Sequence, residues 1–426
     1  MSISSNKAQQ ALEILNSFND IDALIEKVRN KGNFIDKSNR FPIETKPTIE
    51  GLQKRIAILE EKTGKTFNTL SGQNQISDLD PFEGNIENII GFTQVPTGVI
   101  GPLKILGSAA HGDFYVPLAT SEGALISSYD RGAKACRMAG GITSICLTES
   151  VQRSPSFKFK NLPDLGTFLI WILQNIDKLK EIPAQHSKHA KLIDFKPNIE
   201  GNQLIIVFEY QTGDAAGQNM VTICTDEICK YILAEAPIQP EYWFIESNYS
   251  GDKKATALTF NTVRGKKVTA EVILSNEIVT KILRTTPKAM AEYWQSSTIA
   301  VIQSGAIGAQ GHVANGLCAL FMATGQDVAC VAEAAVGITR MEVTENNELY
   351  ASVTLPGLIV GTVGGGTGLP TQRECLELMD CYGVGKARKF AEICAAVALA
   401  GELSIAAALS AGHFTQAHKK FGRKKQ

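Results

Sequence analysis

The order of elements predicted between residues 155 and 246 constrains the fold of this chain more than any other feature. Strand-like segments lie at 156–160, 191–196, 203–210 and 242–246, and helical segments lie at 162–179 and around 220–228. This β-α-β-β-α-β order is that of the split βαβ, or ferredoxin-like, arrangement. Glycine-rich sequence with helical character resumes after it. We therefore expect a small α+β domain inserted into a larger one.

The rest of the chain divides around this segment. Apolar residues recur at helical spacing in residues 8–30 and 48–62, which predicts a helical N-terminal domain at 1–86. A large mixed α/β domain is expected at 87–154 and 247–426, with the small domain inserted at 155–246. The predicted fold class is α+β. A chain of 426 residues, 44% of them apolar, can fill such cores.

Charge and cysteine usage narrow the class of protein. Lys and Arg number 42 and Asp and Glu number 43, so no net field draws the chain to nucleic acid or to an anionic membrane. The nine cysteines include no CxxC pair, which favours reduced thiols over a metal centre. No signal-peptide pattern is present, and the longest apolar run, Ile393–Phe414, is interrupted by Glu402, Ser404 and Gly412. We expect a cytoplasmic protein without a membrane segment or a bound metal.

Two glycine-rich segments are candidates for ligand binding. Gly213–Met220 (GDAAGQNM) opens a predicted helix, where free backbone N–H groups can bind an anion such as a diphosphate; an ordinary Asp N-cap explains it equally well. Gly361–Gly368 (GTVGGGTG) does not satisfy GxGxxG, because the third glycine would fall on Leu369. A Rossmann domain is therefore not predicted, although the backbone can approach a ligand closely there.

Three adjacent charges, Asp252-Lys253-Lys254, lie in a loop between strand-like segments. A lysine held there by a carboxylate can stabilise an oxygen atom that gains negative charge. Taken alone, the same residues are more simply explained as a solvated charged turn.

Two acidic residues and one histidine are further candidates. Glu122 stands among small and apolar residues, where burial would raise its pKa and suit it to proton donation, although a helix-start glutamate is the commoner explanation. Asp327 has the same two interpretations. His418 lies in a basic C-terminal tail, which by itself indicates a solvated terminus.

These features belong to a set of eight segments that follow one another along the chain. They are 87–103 (ENIIGFTQVPTGVIGPL), 117–132 (PLATSEGALISSYDRG), 247–257 (SNYSGDKKATA), 311–315 (GHVAN), 325–327 (GQD), 361–370 (GTVGGGTGLP), 400–413 (AGELSIAAALSAGH) and the final His418. Their order and spacing resemble 3-hydroxy-3-methylglutaryl-CoA reductase over roughly residues 50–420, and most closely the class I, mevalonate-forming type.

The resemblance implies four catalytic roles. Lys253 matches the lysine that stabilises the carbonyl oxygen as each hydride arrives. Glu122 matches the glutamate that supplies a proton to the aldehyde oxygen, and Asp327 the aspartate that links the two by hydrogen bonds. His418 matches the histidine that protonates the departing CoA thiolate.

The resemblance also implies binding roles. The matching residues are Arg153, Asp252, Lys254 and Asn315 for the substrate, Arg131 and His312 for CoA, and Ser187, Lys188, Asp214, Gly217, Asn219, Gly364, Gly365 and Gly366 for the dinucleotide.

Three positions depart from the family pattern. Glu246 stands where the family usually has a serine that touches the substrate. Lys188 replaces the arginine that reads the 2′-phosphate, which keeps a positive charge but loses the planar fork. No serine or threonine follows His418, so phosphorylation control is not expected.

The function implied by the resemblance is reduction of 3-hydroxy-3-methylglutaryl-CoA to mevalonate with two NADPH, with NADH as the alternative cofactor. An NAD-dependent degradative direction and a non-catalytic CoA-thioester-binding protein are the competing interpretations. The resemblance further implies a homodimer or homotetramer, with Glu87–Gly91 at the contact between subunits.

Overall fold

The computed structural model describes residues 5–18, 21–29, 41 and 47–412 of the chain. The strands in these ranges are β1 (Thr97–Gly107), β2 (His111–Ala119), β3 (Ile142–Arg153), β4 (Ser156–Lys158), β5 (Lys191–Glu200), β6 (Gln203–Gln211), β7 (Tyr242–Phe244), β8 (Gly265–Leu274), β9 (Ile338–Val343) and β10 (Leu349–Leu358).

The helices in the same ranges are α1 (Ser5–Asn16), α2 (Ile21–Arg29), α3 (Ile49–Thr63), α4 (Leu125–Met138), α5 (Leu162–Gln174), α6 (Ile176–His186), α7 (Gln218–Glu235), α8 (Thr259–Thr262), α9 (Asn276–Ile278), α10 (Pro287–Ser304), α11 (Val313–Thr324), α12 (Val331–Ala334), α13 (Pro370–Leu378) and α14 (Ala387–Ser410). Short 3-10 turns lie at Asp80–Phe82, Val328–Cys330 and Gly365–Gly368, and a π-helical turn lies at Val279–Leu283. The predicted mixture of helices and sheet is confirmed.

Strands β4 to β7 pair antiparallel in the order β7-β4-β6-β5. Strands β4 and β5 lie on either side of β6, which is the split arrangement expected from the sequence. The turn between β5 and β6 contains Gly201, whose φ of +55° is a conformation that glycine adopts without steric cost. The single helix expected at 162–179 is instead two helices, because Asn175 ends α5 and its Nδ2 atom donates to the Trp171 carbonyl at 2.8 Å.

Strand β3 joins this sheet to the rest of the molecule. Its residues 143–150 pair with β8, and Val151–Arg153 pair with β6, so all ten strands form one continuous sheet. The chain leaves β3 at Ser154-Pro155, which is where the sequence places the start of the small domain. The division into domains stays a prediction.

Helix α14 lies at the centre of the large core. It packs against α4 so closely that a Cβ atom on Gly132 would lie 1.8 Å from the carbonyl oxygen of Ala400. By length and composition alone α14 is long and apolar enough to cross a membrane, despite the interruptions noted in the sequence. However, 83% of its most apolar window is buried inside the protein, as in a core helix.

The N-terminal helices pack on this body. Helix α1 is attached by Lys7, whose Nζ atom lies 2.9 Å from Oε2 of the buried Glu209. Helix α3 begins at the Thr48 cap, whose hydroxyl accepts from the Gly51 N–H at 3.0 Å. The helical character predicted for this part of the chain is therefore observed.

Candidate active site

Lys253 lies in the loop that follows β7. It has a φ of +56° and the nearby Gly251 one of +75°, so the backbone turns sharply at the charged residues. The Lys253 N–H donates to Oε1 of Glu333 at 3.2 Å, and its Nζ atom lies 2.9 Å from Oδ2 of Asp327. The hydrogen bond that Lys253 donates to Asp327 raises the pKa of Lys253 and outweighs the opposing effect of partial burial, so the side chain is cationic at neutral pH.

Asp327 is positioned by the end of α11. Gly325 ends the helix with a φ of +66°, and a Cβ atom there would lie 2.1 Å from the Gly366 carbonyl oxygen. The Gln326 side chain exchanges two hydrogen bonds with the backbone of Gly361, at 2.9 and 3.0 Å. Asp327 then accepts from the Ala329 N–H at 3.0 Å. These contacts fix the carboxylate opposite Lys253 and join its loop to the glycine run.

A buried network of charged side chains, formed by Arg264, Glu333 and Asp252, supports the Lys253 loop. The Nε atom of Arg264 lies 2.7 Å from Oε2 of Glu333, and its Nη2 atom pairs with Oδ1 of Asp252. The contact to Glu333 lacks hydrogen-bond geometry, so Arg264 offsets the burial of that carboxyl only in part. Burial raises the pKa of Glu333 to about 7. Burial acts in the same direction on Asp252, but Arg264 and Arg153 outweigh it and lower the pKa of Asp252.

Arg153 and Gln218 extend this network towards α7. The Nη1 atom of Arg153 lies 3.2 Å from Oε2 of Glu246 and 3.3 Å from Oδ2 of Asp252, and its Nη2 atom donates to the Gln218 carbonyl at 3.4 Å. The Gln218 Nε2 atom lies 2.9 Å from the sulfur of Cys330. Burial raises the pKa of the Cys330 thiol, so it is protonated at neutral pH. The predicted substrate residue Arg153 and the first turn of α7 therefore lie beside the Lys253–Asp327 pair.

Glu122 pairs with Asn315 at 3.2 Å, which brings one predicted catalytic residue to a predicted substrate residue at the start of α11. Glu122 is exposed, so this chain's own packing does not supply the desolvation that the sequence interpretation invoked for it. Lys254 is also exposed and donates to the Asp252 carbonyl at 2.8 Å.

Two of the glycine segments meet. The Thr362 N–H donates to the Asp214 carbonyl at 2.8 Å, and a Cβ atom on Gly361 would lie 2.5 Å from the Ala216 nitrogen. Gly364 and Gly365 are exposed, with φ values of +72° and +55°, and open space surrounds both positions where a Cβ atom would lie. Backbone in such a conformation is open to a ligand.

The Asp214 side chain is held at the start of α14, and its predicted contact with the dinucleotide stays a prediction. Its Oδ2 atom accepts from the Gly385 N–H at 2.7 Å and its Oδ1 atom from the Ala387 N–H at 3.0 Å, so it caps α14. It does not cap α7, whose N-cap is Gly217, and neither oxygen depends on a ligand for a hydrogen bond. Asn219, in the first turn of α7, is exposed.

The other predicted binding residues lie around this centre. Ser187 ends α6, and its hydroxyl accepts from the N–H groups of His189 and Ala190, both at 3.1 Å, while Lys188 is exposed. The guanidinium of Arg131 bonds the carbonyl and hydroxyl of Ser404 in α14 at 2.7 and 2.8 Å.

His312 and Arg131 both depend on α14. The His312 ring stacks on Tyr129 with centroids 5.3 Å apart. The backbone N–H of His312 donates to Oε1 of Glu402 at 2.8 Å, and the ring Nδ1 atom lies 3.5 Å from the same oxygen. Glu402 also accepts from the Gly311 N–H at 2.7 Å, which fixes the segment that precedes α11. The predicted catalytic residue His418 lies outside the described residues.

Four residues of the site were not predicted from the sequence: Arg264, Glu333, Gln218 and Cys330. A signal existed for Glu333, since a lone carboxylate in the apolar run VACVAEAAVG has to find a buried partner. Gln218 lies within the segment already singled out at 213–220, but its contact with Cys330 joins residues far apart in the chain. That contact cannot be inferred from spacing.

These features place a cation held by a carboxylate next to backbone that is open to a ligand, an arrangement typical of enzyme sites that stabilise negative charge on an oxygen atom. The family model of hydroxymethylglutaryl-coenzyme A reductase matches residues 51–423, and the chain belongs to this family.

Curated relatives agree with this assignment, and a solved structure shares the fold. The 3-hydroxy-3-methylglutaryl-coenzyme A reductase of Pyrococcus abyssi is 42% identical over 411 residues, 95% of this chain and 100% of its own. That of Methanocaldococcus jannaschii is 43% identical over 376 residues, 87% of this chain and 92% of its own. The class II reductase from Streptococcus pneumoniae, bound to NADPH in open conformations, superposes with a TM-score of 0.69. It is 20% identical and covers 85% of this chain and 100% of its own, so this likeness concerns the fold.

Proposed function

We propose that this protein reduces 3-hydroxy-3-methylglutaryl-CoA to mevalonate and free CoA with two molecules of NADPH, a step of isoprenoid biosynthesis. Membership of the reductase family over residues 51–423 supports the reaction. The observation that carries the chemistry is the 2.9 Å contact between Lys253 and Asp327. In this contact Asp327 keeps the Lys253 side chain protonated, and Glu333 holds the loop that carries it.

The residues around the glycine segments fit a dinucleotide. When bound, NADPH supplies a hydride to the substrate in each of two steps. The first turn of α7 behind Gly217 offers N–H groups to its phosphates, because a glycine N-cap has no side chain to satisfy them. The exposed backbone at Gly364–Gly366 allows close approach, and Lys188 with Ser187 provides a charge and a hydroxyl for a 2′-phosphate. The Asp214 carboxylate attaches the loop before α7 to the start of α14, and its assigned contribution is to position Gly217 at the end of that loop.

In the first reduction, the thioester carbonyl oxygen becomes an oxyanion as the carbon gains a hydride, which gives the anion of a hemithioacetal. The Lys253 ammonium, held in place by Asp327, stabilises that charge by donating a hydrogen bond to the oxyanion and by its field. Collapse of the hemithioacetal then breaks the carbon–sulfur bond and releases an aldehyde and the CoA thiolate. His418 is assigned the proton that converts this thiolate to the thiol.

In the second reduction, the aldehyde oxygen gains charge as its carbon accepts the second hydride. Lys253 stabilises this charge as well, and Glu122 donates the proton that gives the primary alcohol. Asn315 orients the Glu122 carboxyl through their 3.2 Å contact. Because Glu122 is exposed in the single chain, the desolvation suited to this role has to come from bound substrate or from a second subunit.

Substrate and CoA are assigned to the surrounding charged and polar side chains. The hydroxymethylglutaryl part is assigned to Arg153, Asp252, Lys254 and Asn315, and CoA to Arg131 and His312. The Arg131 guanidinium is already held by Ser404, and one face of the His312 ring is covered by Tyr129, so each offers CoA only the part of its side chain that these contacts leave free. Their contribution to CoA binding is therefore expected to be modest.

We further propose a homodimer or homotetramer that works in the cytoplasm. Residues 79–92 expose Leu79, Ile86, Ile90 and Phe92, and Ile90 is 103% exposed. An apolar series of this kind is suited to contact with a second copy of the chain. Sedimentation at assay concentration is expected to show at least a dimer, and a fully active monomer would exclude the proposal.

A coupled measurement tests the reaction. Oxidation of NADPH and of NADH is followed with 3-hydroxy-3-methylglutaryl-CoA in the forward direction, and NAD reduction is followed with mevalonate and CoA in reverse. Rapid forward oxidation of NADPH is expected. Turnover only in reverse with NAD would favour the degradative direction, and tight binding of the thioester without turnover would favour a non-catalytic binding protein.

A further inference from the structure

The guanidinium of Arg153 is engaged by two carboxylates of its own chain. Its Nη1 atom lies 3.2 Å from Glu246 and 3.3 Å from Asp252, and its side chain is only 9% exposed. One cation thus faces two anions at a partly buried position. A third carboxylate, brought by a substrate, would meet a guanidinium whose charge is already compensated.

Glu246 is held at this position by several donors. Its Oε1 atom accepts from the Asn248 N–H at 2.7 Å, and its Oε2 atom accepts from the Ser250 hydroxyl at 3.1 Å. The Ser154 N–H is 3.4 Å from the same Oε2 atom. These contacts distinguish the Glu246–Arg153 pair from a mobile surface ion pair, whose energy is small.

Asp252 cannot yield its place at Arg153 as easily. Its other oxygen pairs with Arg264, a residue that is 1% exposed, so moving Asp252 would leave a buried guanidinium short of a partner. Glu246 has no such second cation among the ion pairs of the described residues. It is therefore the carboxylate that an incoming anion displaces.

The remaining cations do not replace Arg153. Arg264 is buried, Lys253 is committed to Asp327, and the exposed Lys254 is a single point charge beside the Asp252 carbonyl. Arg153 is therefore the residue here that can bind a carboxylate with two parallel hydrogen bonds.

We propose that Glu246 is a specificity-determining residue, which occupies the anion position of Arg153 and is displaced by the free carboxylate of the substrate. The inference rests on the proposed function. The negative charge of Glu246 weakens binding of thioesters whose acyl chain ends in a carboxylate. It acts little on thioesters whose acyl chain ends in a neutral group of the same shape.

The test compares Glu246→Gln with wild type and with a control, Glu241→Gln, which removes an exposed carboxylate of the same segment. The two probes are 3-hydroxy-3-methylglutaryl-CoA and its analogue with a carboxamide in place of the free carboxylate. KM and kcat are measured for the first, and the competitive inhibition constant for the second. Glu246→Gln is expected to lower KM for the carboxylate thioester about tenfold, with the inhibition constant of the amide changed less than about threefold. Glu241→Gln is expected to change neither.

A second variant keeps the inference testable if Glu246→Gln does not fold. Ser250→Ala removes one donor that holds Glu246 without removing its charge, and is expected to lower the same KM by a smaller factor. An unchanged or raised KM in every folded variant, or an equal change for both probes, overturns the inference. Failure of the proposed function has a different signature, because the wild type would then not reduce the carboxylate thioester at all.

Discussion

Lys253 and Asp327 approach to 2.9 Å although they lie on separate loops, one after β7 and one after α11. Their side chains are 46% and 39% exposed, so the pair contributes little to stability. Its effect is to hold the Lys253 ammonium in one position. Buried Glu333 holds the Lys253 loop, and buried Gln326 holds the Asp327 loop. The site therefore places a rigidly supported charge on an open surface.

Replacement of Lys253 by Ala is expected to lower kcat roughly 10²–10³-fold, because the developing oxyanion loses its preorganised cation. Lys254→Ala is the matched control, and is expected to act mainly on KM for the thioester. Steady-state kinetics on both folded variants decide the matter. Near-normal turnover in Lys253→Ala would show that Lys253 does not stabilise the oxyanion.

His418→Gln and Glu122→Gln are expected to separate the two reductions. The histidine is assigned only to CoA departure, so its variant should lose thioester reduction and keep reduction of added mevaldehyde. The glutamate variant should lose both activities. Equal losses on the two substrates in the histidine variant would contradict this division of roles.

The raised pKa of Glu333 predicts a pH dependence of stability. The folded protein holds this proton up to about pH 7, whereas the unfolded chain releases it near its ordinary value of 4.5. Stability from this carboxyl is complete below the lower value and is lost as pH rises through the higher one. The loss is on the order of 3 kcal/mol at most.

Glu333→Gln removes that titration. The free energy of unfolding of the wild type, measured by denaturant relative to this variant, is expected to fall between pH 5 and pH 8. A difference that stays constant or rises over this interval would show that Glu333 is ionised throughout.

Cofactor preference is predicted to depend on Lys188. The exposed ammonium can meet a 2′-phosphate as a point charge, so the wild type should prefer NADPH over NADH. Lys188→Glu is expected to raise KM for NADPH far more than KM for NADH. Lys191→Glu, three residues further along and also exposed, serves as the control. If the ratio of KM for NADPH to KM for NADH is unchanged in Lys188→Glu, the 2′-phosphate is recognised by other residues.

The small sheet and the helical N-terminal segments could be predicted because alternation and helical spacing are local properties of the sequence. The break at Asn175 was missed, since the apolar pattern continues across it and only the side-chain contact with Trp171 ends the helix. Asp214 shows the same limit within the site. Its position before a helix suggested a local cap, whereas its carboxylate accepts from the N–H groups of Gly385 and Ala387 at the start of α14, more than 170 residues away.

The stoichiometry of the reaction tests the central claim most directly. NADPH oxidised and CoA thiol released are measured together from 3-hydroxy-3-methylglutaryl-CoA, and the product is identified as mevalonate. Two NADPH per CoA are predicted, because the Lys253 cation serves both the thioester and the aldehyde. A ratio of one with accumulation of the aldehyde, or release of CoA without NADPH oxidation, would contradict the account.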